Sequence, residues 1–238
     1  AAVHAQAAEG SGEVRQAASK GNFMSDNKNT LYLTPTYYLD AASPAVEQYA
    51  QRVCAYADSP LERAVRLYYA VRDEIRYDPY DLRYSREAFK ASTIITRGSG
   101  YCVAKAVVLA ALGRQQGIPS RLGFADVRNH LSTSRLRQVM GTDTFYYHGY
   151  TEFMLNGSWV KATPAFNLSL CNRFKVKPLE FDGTSDSIFH EFNTEGQKHM
   201  EYLCDHGSFA ELPFEELFSS YHRHYPAMFE MIGSAESA

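Results

Sequence analysis

An almost uninterrupted apolar segment follows the motif GSGYC at residues 98–102. It reads VAKAVVLAALG and is rich in residues of high helix propensity. A helix that is apolar on most of its sides must lie inside the protein. The sequence therefore predicts a central, buried helix from Cys102 to Gln116, with Gly117 as its cap and Pro119 preventing its continuation.

Two proline-containing motifs mark helix starts earlier in the chain. Ser43-Pro44 has serine as a cap and proline in the first turn. Ser59-Pro60 is followed by Glu62, which completes a capping box. Apolar residues then recur at steps of three and four residues as far as about Tyr77. We therefore expect two helices before the central one, the second of them amphipathic.

Alternating patterns and turn residues predict strands around the central helix. They are expected over Thr30 to Leu39, Arg121 to Val127, Phe145 to Leu155 and Ser158 to Thr163, and a last helix over Pro213 to His224. Pro35 limits the first strand to a sheet edge. The polar segment 128–144 carries Arg128, Arg135 and Arg137 and is expected to be a surface loop, or a lid that attracts an acidic substrate.

Asn156-Gly157 predicts a two-residue hairpin turn, which fixes the register of the two strands that it joins. Leu155 then lies opposite Ser158, and Tyr150 lies opposite Thr163. Because side chains two residues apart share a face, Thr163 becomes a diagonal neighbour of His148.

Glu152 shares the face of His148 but is four residues away along the strand. At about 3.3 Å per residue this separation is roughly 13 Å, too long for a hydrogen bond to the imidazole. We expect Glu152 to form a cross-strand pair with Lys161, which is a structural role.

Length and composition indicate an ordinary globular protein. The chain has 238 residues, and 24 Lys and Arg against 27 Asp and Glu give a formal charge of −3. This balance argues against a dedicated nucleic-acid binder. A run of about 18 apolar residues, as needed to span a membrane, is absent from the sequence.

Residues 1–23 are rich in Ala, Gly and Ser and are interpreted as an expression leader or flexible extension. Residues 24–238 are expected to form one domain.

The four cysteines, Cys54, Cys102, Cys171 and Cys204, are widely spaced and form no CxxC motif. Without a secretory signal they are interpreted as free thiols in the cytoplasm. Cys102 differs from the others because a helix N-terminus presents free N–H groups that stabilise a thiolate, lower the thiol pKa and can hold an oxyanion. The structural alternative is a small residue that packs a buried helix start.

The segments GSGYCVAKAVVLAALGRQQGIPSRLGF and HGYTEFMLNGSWVKATP resemble the transglutaminase-like superfamily of cysteine acyl-transfer enzymes. The resemblance covers about residues 60–167 and leaves 168–238 as an aromatic C-terminal extension. It implies a papain-like α+β fold, in which the central helix carries Cys102 as nucleophile and an antiparallel sheet carries His148 as base.

The chain departs from the family pattern at the third catalytic position. The family has Asp before the proline, and this chain has Thr163-Pro164. A threonine hydroxyl can accept a hydrogen bond from the imidazole but supplies no negative charge. Either Cys102, His148 and Thr163 act with a weaker third member, or the fold has lost activity and binds a peptide or partner in the cleft.

The preferred interpretation is thiol-dependent hydrolysis of a peptide or small amide, with transamidation as the other outcome. Neither a cofactor nor a metal is expected, because the chain has no EF-hand-like loop and because His199, Cys204 and His206 match no zinc spacing. These three residues are expected to be solvated residues of a helix. His222-Arg223-His224 is expected at an exposed helix end. A third possibility is dimerisation through the aromatic segment from Phe209 to Phe229.

Overall fold

The computed structural model describes residues 30–81, 83 and 85–229. The main elements within these ranges are α1 (Pro44–Cys54), α2 (Pro60–Glu74), β1 (Arg76–Tyr77), α3 (Ala91–Arg97), β2 (Ser99–Gly100), α4 (Cys102–Gln115), β3 (Ser120–Asn129), α5 (Ser134–Met140), β4 (Thr144–Leu155), β5 (Ser158–Ala162), α6 (Leu168–Phe174), β6 (Met200–Phe209) and α7 (Phe214–His224), and a short 3₁₀ helix spans Arg86–Phe89. The leader proposed for residues 1–23 lies outside the described residues, and the one-domain assignment stays a prediction.

The predicted central helix is confirmed as α4. It begins at Cys102 and ends at Gln115, and every residue from Cys102 to Arg114 is buried. It packs against β3 and β4 of the sheet and against the three preceding helices. The absence of a polar face therefore reflects contacts on all sides of the helix.

A four-stranded antiparallel sheet has the strand order β5-β4-β3-β6. The hairpin register is confirmed, since Leu155 pairs with Ser158 and Glu152 pairs with Lys161. Together with the helices this sheet gives the expected α+β fold. The cross-strand pair of Glu152 with Lys161 is confirmed as a pair of opposite residues, while the Glu152 carboxylate forms its ion pair with Arg121 of β3. Lys161 lies 3.7 Å from Asp205 of β6.

Helices α1 and α2 begin where the prolines predict. The Ser59 hydroxyl accepts the Glu62 N–H at 3.1 Å, while the Glu62 carboxylate accepts from Asp58 rather than from Ser59, so the capping box is displaced by one residue. Helix α2 ends before Ile75, which is extended. Tyr77 instead belongs to β1, which pairs in parallel with β2 directly before Cys102.

The strand predicted for Thr30 to Leu39 is wrong. The segment consists of a helical end and turns. The N–H and hydroxyl of Thr34 both donate to the Thr30 carbonyl, at 3.1 and 2.8 Å. A threonine that bonds locally to the backbone competes with strand pairing, and Pro35 removes a further donor.

The polar segment 128–144 is not only a loop, because it contains α5, whose N-cap Thr133 accepts the Leu136 N–H at 3.1 Å. The C-terminal extension supplies β6, which was not predicted, and α7, which was. Cys204 and His206 lie in β6, and His199 is buried directly before it, so the expectation of solvated helix residues is wrong.

The four cysteines are free, as expected, and only Cys204 is exposed. At the end of α7, His222 and Arg223 are exposed and His224 is partly buried, which agrees with the predicted exposed helix end. Within the described ranges, no helix combines the length and apolar character that a membrane crossing requires.

Candidate active site

Cys102 is the first residue of α4 and is 7% exposed. It follows the short β1–β2 pairing, which fixes the chain just before the helix. Burial raises the pKa of the Cys102 thiol to about 11, although backbone N–H groups of Gly149, Val103 and Cys102 itself act to lower it. The lowered pKa expected from the helix N-terminus is therefore wrong for this structure, because desolvation outweighs the amide donors.

Gly149 allows the start of α4 to approach β4 closely. An added Cβ at this position would lie 2.9 Å from the Val103 Cα atom, shorter than real Cβ contacts. The amide of Gly149 also acts on the Cys102 sulfur. This contact brings the thiol beside the residue that directly follows His148 in the sequence.

His148 lies in β4 and is 1% exposed. Its ring centroid is 4.7 Å from that of Phe189. Neither ring nitrogen has a hydrogen-bond partner among the residues that the structure describes. Burial lowers the pKa of His148 to about 3, so the imidazole is neutral at physiological pH.

A local irregularity precedes His148 in its strand. Tyr147 has a positive φ of 53°, and the β3–β4 register shifts between Ala125 and Val127. The Tyr147 N–H donates to the Asp126 carboxylate at 3.0 Å instead of to a main-chain carbonyl. Such bulges redirect side chains and occur next to active sites.

Thr163 follows β5 and is also 1% exposed. Its carbonyl accepts a hydrogen bond from the Tyr68 hydroxyl at 3.2 Å. Its own hydroxyl has no partner within the described part of the chain. The hydrogen bond expected between Thr163 and His148 is therefore not formed in this structure.

A small pocket of about 50 Å³ gives access to Cys102. Its walls are mainly aromatic and include Tyr77, Tyr101, Tyr221 and Tyr225. The pocket is small compared with a cavity of about 150 Å³, which holds a molecule of the size of benzene. A reacting group must therefore be narrow, or the aromatic walls must move.

A larger cavity of about 460 Å³ adjoins this pocket. The two share Tyr77, Pro79 and Phe145 as common walls. Arg135 of α5 and Arg173 of α6 also line the cavity, whereas no carboxylate does so among the described residues. The space next to Cys102 is therefore apolar, aromatic and positively charged at its border.

The arginines of the predicted lid have different positions. Arg135 lies over Tyr80, with the guanidinium carbon 5.0 Å from the ring centroid. Arg128 lies 3.5 Å from Asp143. Arg137 donates to the Ser132 carbonyl at 2.6 Å. Of the three, only Arg135 contributes to the cavity.

Sequence reasoning missed several residues of this region. Arg173 and Phe189 come from the C-terminal extension, and nothing in its local pattern indicates that it packs beside His148. Tyr225 was assigned only to an aromatic segment, and its hydroxyl donates to the Thr144 carbonyl of β4 at 3.1 Å.

Comparison with protein families gives a match over the same region. Residues 47–164 match the model described as the transglutaminase-like superfamily. The chain belongs to the transglutaminase-like superfamily. The matched segment holds Cys102, His148 and Thr163. Membership supports a thiol-dependent hydrolase or acyltransferase at the level of the superfamily.

Two solved structures show a limited similarity. A "putative cysteine protease" from Cytophaga hutchinsonii is 17% identical with a TM-score of 0.46, covering 58% of this chain and 42% of that chain. A "putative protease" from Parabacteroides distasonis is 14% identical with a TM-score of 0.37, covering 57% and 26%. The chain thus spans less than half the length of either protein. A comparison with curated protein sequences finds no match.

Proposed function

We propose that this transglutaminase-like protein hydrolyses an amide through a thioester on Cys102. The observation that carries the proposal is the position of the thiol. It heads the buried helix α4, receives backbone N–H groups from both α4 and β4, and lines a pocket that joins a cavity. A thiol that served only as core packing would not need a pocket of its own.

The proposed reaction uses Cys102 and His148. The sulfur attacks the acyl carbon while the imidazole takes the thiol proton, so that an S–C bond forms. The same imidazole then gives this proton to the leaving amine, and the C–N bond breaks. Water adds to the thioester, its proton passes through His148, and the carboxylic acid leaves with the thiol restored.

The protonation states favour a neutral resting pair. With pKa values of about 11 for Cys102 and about 3 for His148, neither group is charged near pH 7. Proton transfer therefore accompanies the attack instead of preceding it. In the proposed step, the N–H of Cys102 and its neighbouring amides, which act on the sulfur in the resting state, stabilise the negative charge that develops on the acyl oxygen.

The lining of the cavity indicates the chemical character of the part of the substrate that is not the reacting amide. Its aromatic lining suits an apolar body, and Arg135 and Arg173 suit a carboxylate or phosphate. Among the described residues, no carboxylate lines the cavity beside these two guanidinium groups. The narrow pocket suits a slender end group such as a primary carboxamide. We therefore propose an acyl donor with an anionic group, an apolar middle and a terminal amide.

The test is a search for the covalent intermediate. The protein is incubated with a library of primary carboxamides and peptide amides, and intact mass and ammonia release are followed. We expect an acyl adduct that maps to Cys102 and disappears in Cys102→Ala. Cys171→Ala is the matched control, since it also removes a buried thiol. Ammonia release that persists in Cys102→Ala contradicts the proposal.

A second candidate is a binding module that keeps the fold without turnover. It is favoured by Thr163, whose hydroxyl has no partner within the described ranges and which brings no charge to His148. In this case library members bind to wild type and to Cys102→Ala with equal affinity, and neither protein forms an adduct or releases ammonia. Binding without any Cys102-dependent chemistry therefore separates the two candidates.

A further inference from the structure

We propose that Asp126, Cys204 and His206 bind a zinc-class divalent cation at the β3–β6 edge of the sheet. One potential ligand atom from each residue lies within 4.8 Å of those of the other two. The three residues take no part in the proposed chemistry of Cys102. Two of them come from the C-terminal extension, outside the segment that matches the superfamily.

The pairing of two strands brings these residues together. Asp126 and Cys204 are direct partners in the β3–β6 ladder. The register shifts on either side, between Phe124 and Ala125 and again between Asp126 and Val127. Each shift leaves an extra residue on one strand and turns the neighbouring side chains. His206 falls within the first of these irregularities, between the partners of Phe124 and Ala125.

The imidazole and the carboxylate are held in place by the protein. His206 Nε2 lies 2.7 Å from Asp126 Oδ1. The His206 ring stacks on Tyr147 with 4.1 Å between centroids and 14° between planes. The Tyr147 N–H donates to the same carboxylate at 3.0 Å. Because these contacts restrict two of the three ligands in advance, metal binding requires only small movements.

The donor set is chemically suited to zinc. A thiolate, an imidazole and a carboxylate are common zinc ligands, whereas Ca²⁺ and Mg²⁺ prefer oxygen alone. Cys204 is exposed and His206 and Asp126 are partly exposed, so a cation and a water molecule can reach the site. Three protein ligands leave a fourth tetrahedral position open to water or an external ligand.

The sequence does not reveal this set, because its third member is distant in the chain. His199, Cys204 and His206 are near one another in sequence, but His199 is buried and lines the large cavity. Asp126 from β3, and not His199, lies beside Cys204 and His206.

Cobalt is the probe for the test, since it occupies zinc sites and gives a near-ultraviolet charge-transfer band only when a thiolate binds it. The untagged chain is titrated with Co²⁺ at pH 7.5. We expect one cobalt per chain with this band, and its loss when Zn²⁺ is added, because zinc binds such sites more tightly than cobalt. The band disappears in Cys204→Ser.

Other variants locate the remaining ligands. We expect Asp126→Asn and His206→Gln to weaken cobalt binding at least tenfold, while Cys171→Ala leaves the band unchanged; circular dichroism checks that each variant is folded. The proposal is overturned if the folded wild type shows no band at millimolar Co²⁺. It is also overturned if the band survives in Cys204→Ser. None of these readings depends on amide hydrolysis.

Discussion

Gly149 and Val103 approach each other so closely that a Cβ atom at residue 149 would lie 2.9 Å from the Val103 Cα atom. The obstacle is backbone, which cannot rotate away as a flexible side chain can. The contact joins β4 to the first turn of α4 and thereby sets the distance between the His148 strand and the Cys102 thiol. A single hydrogen atom in place of a side chain is what permits it.

Replacing Gly149 by alanine tests this contact. Overpacking of this kind costs about 1–3 kcal/mol. We expect Gly149→Ala to lower the urea midpoint and to change the alkylation rate of Cys102 by iodoacetamide. Gly117→Ala is the control, since it introduces strain at a φ of 72° with no atom near the new Cβ. The control is expected to lose stability while Cys102 reacts as in wild type. Equal alkylation rates in both variants contradict the role assigned to Gly149.

Thr163 can be tested with an isosteric and a charged replacement. If its hydroxyl orients His148 during turnover, Thr163→Val lowers the rate several-fold. Thr163→Asp keeps or raises the rate, because a carboxylate stabilises the imidazolium. The same carboxylate raises the pKa of His148 from about 3, which NMR titration of the ring protons measures. A valine variant with the wild-type rate means that Thr163 does not position the imidazole.

The buried histidines predict a loss of stability in acid. Burial lowers the pKa of His148 to about 3 and that of His199 to about 4, whereas a histidine in an unfolded chain titrates near about 6.5. The unfolded chain therefore binds protons that the folded chain does not. The free energy of unfolding falls as the pH falls below about 6.5, and it continues to fall towards about pH 3.

Urea denaturation between pH 7 and pH 4.5 measures this effect. We expect His148→Leu to reduce the slope of unfolding free energy against pH, because one of the uncharged buried bases is gone. His222→Gln, at the exposed end of α7, is the control and is expected to change the slope little. Parallel curves for wild type and His148→Leu would show that His148 is not responsible.

The charge of the cavity is tested with two ligands that differ in one group. We expect 4-phenylbutyrate to bind more tightly than 4-phenylbutyramide by about tenfold, which corresponds to about 1.4 kcal/mol. The difference decreases in Arg135→Gln and Arg173→Gln, and it also decreases at high salt, because the two guanidinium groups are exposed. Calorimetry is carried out with Cys102→Ala, alone and combined with each arginine variant, because 4-phenylbutyramide is itself a primary carboxamide that the active protein would hydrolyse under the proposed function.

Arg137→Gln is the matched control for this comparison. Arg137 belongs to the same helix as Arg135, but it donates to the Ser132 carbonyl and does not line the cavity. A loss of selectivity in Arg137→Gln equal to that in Arg135→Gln would assign the effect to general charge. Equal affinity of Cys102→Ala for the acid and the amide would reject an anionic substrate group.

Local sequence patterns were sufficient to predict the elements that are determined by residues close together in the chain. The apolar run after Cys102 predicted α4, and Asn156-Gly157 predicted the hairpin and its register. The motifs were also sufficient to select Cys102 and His148 as the residues to examine. Each of these features depends on residues that are close together in the chain.

The features that could not be predicted depend on contacts between distant segments. The pairing of β6 with β3 joins residues about 80 positions apart, as Asp126 with His206 shows. The pKa of Cys102 follows from aromatic side chains of α7 and its neighbours that exclude water. A position at a helix N-terminus predicts that the amide groups lower the pKa of a thiol. It does not predict whether desolvation raises that pKa by more.

Some walls of the aromatic pocket come from a different part of the chain than Cys102 and His148 do. The thiol and the imidazole belong to the segment shared with the superfamily, whereas Tyr221, Tyr225 and Met228 come from the C-terminal extension. Under the proposed function, changes in this extension alter which molecules reach Cys102 and leave both Cys102 and His148 unchanged. Substrate preference would then diverge faster than the chemistry that we propose for this pair.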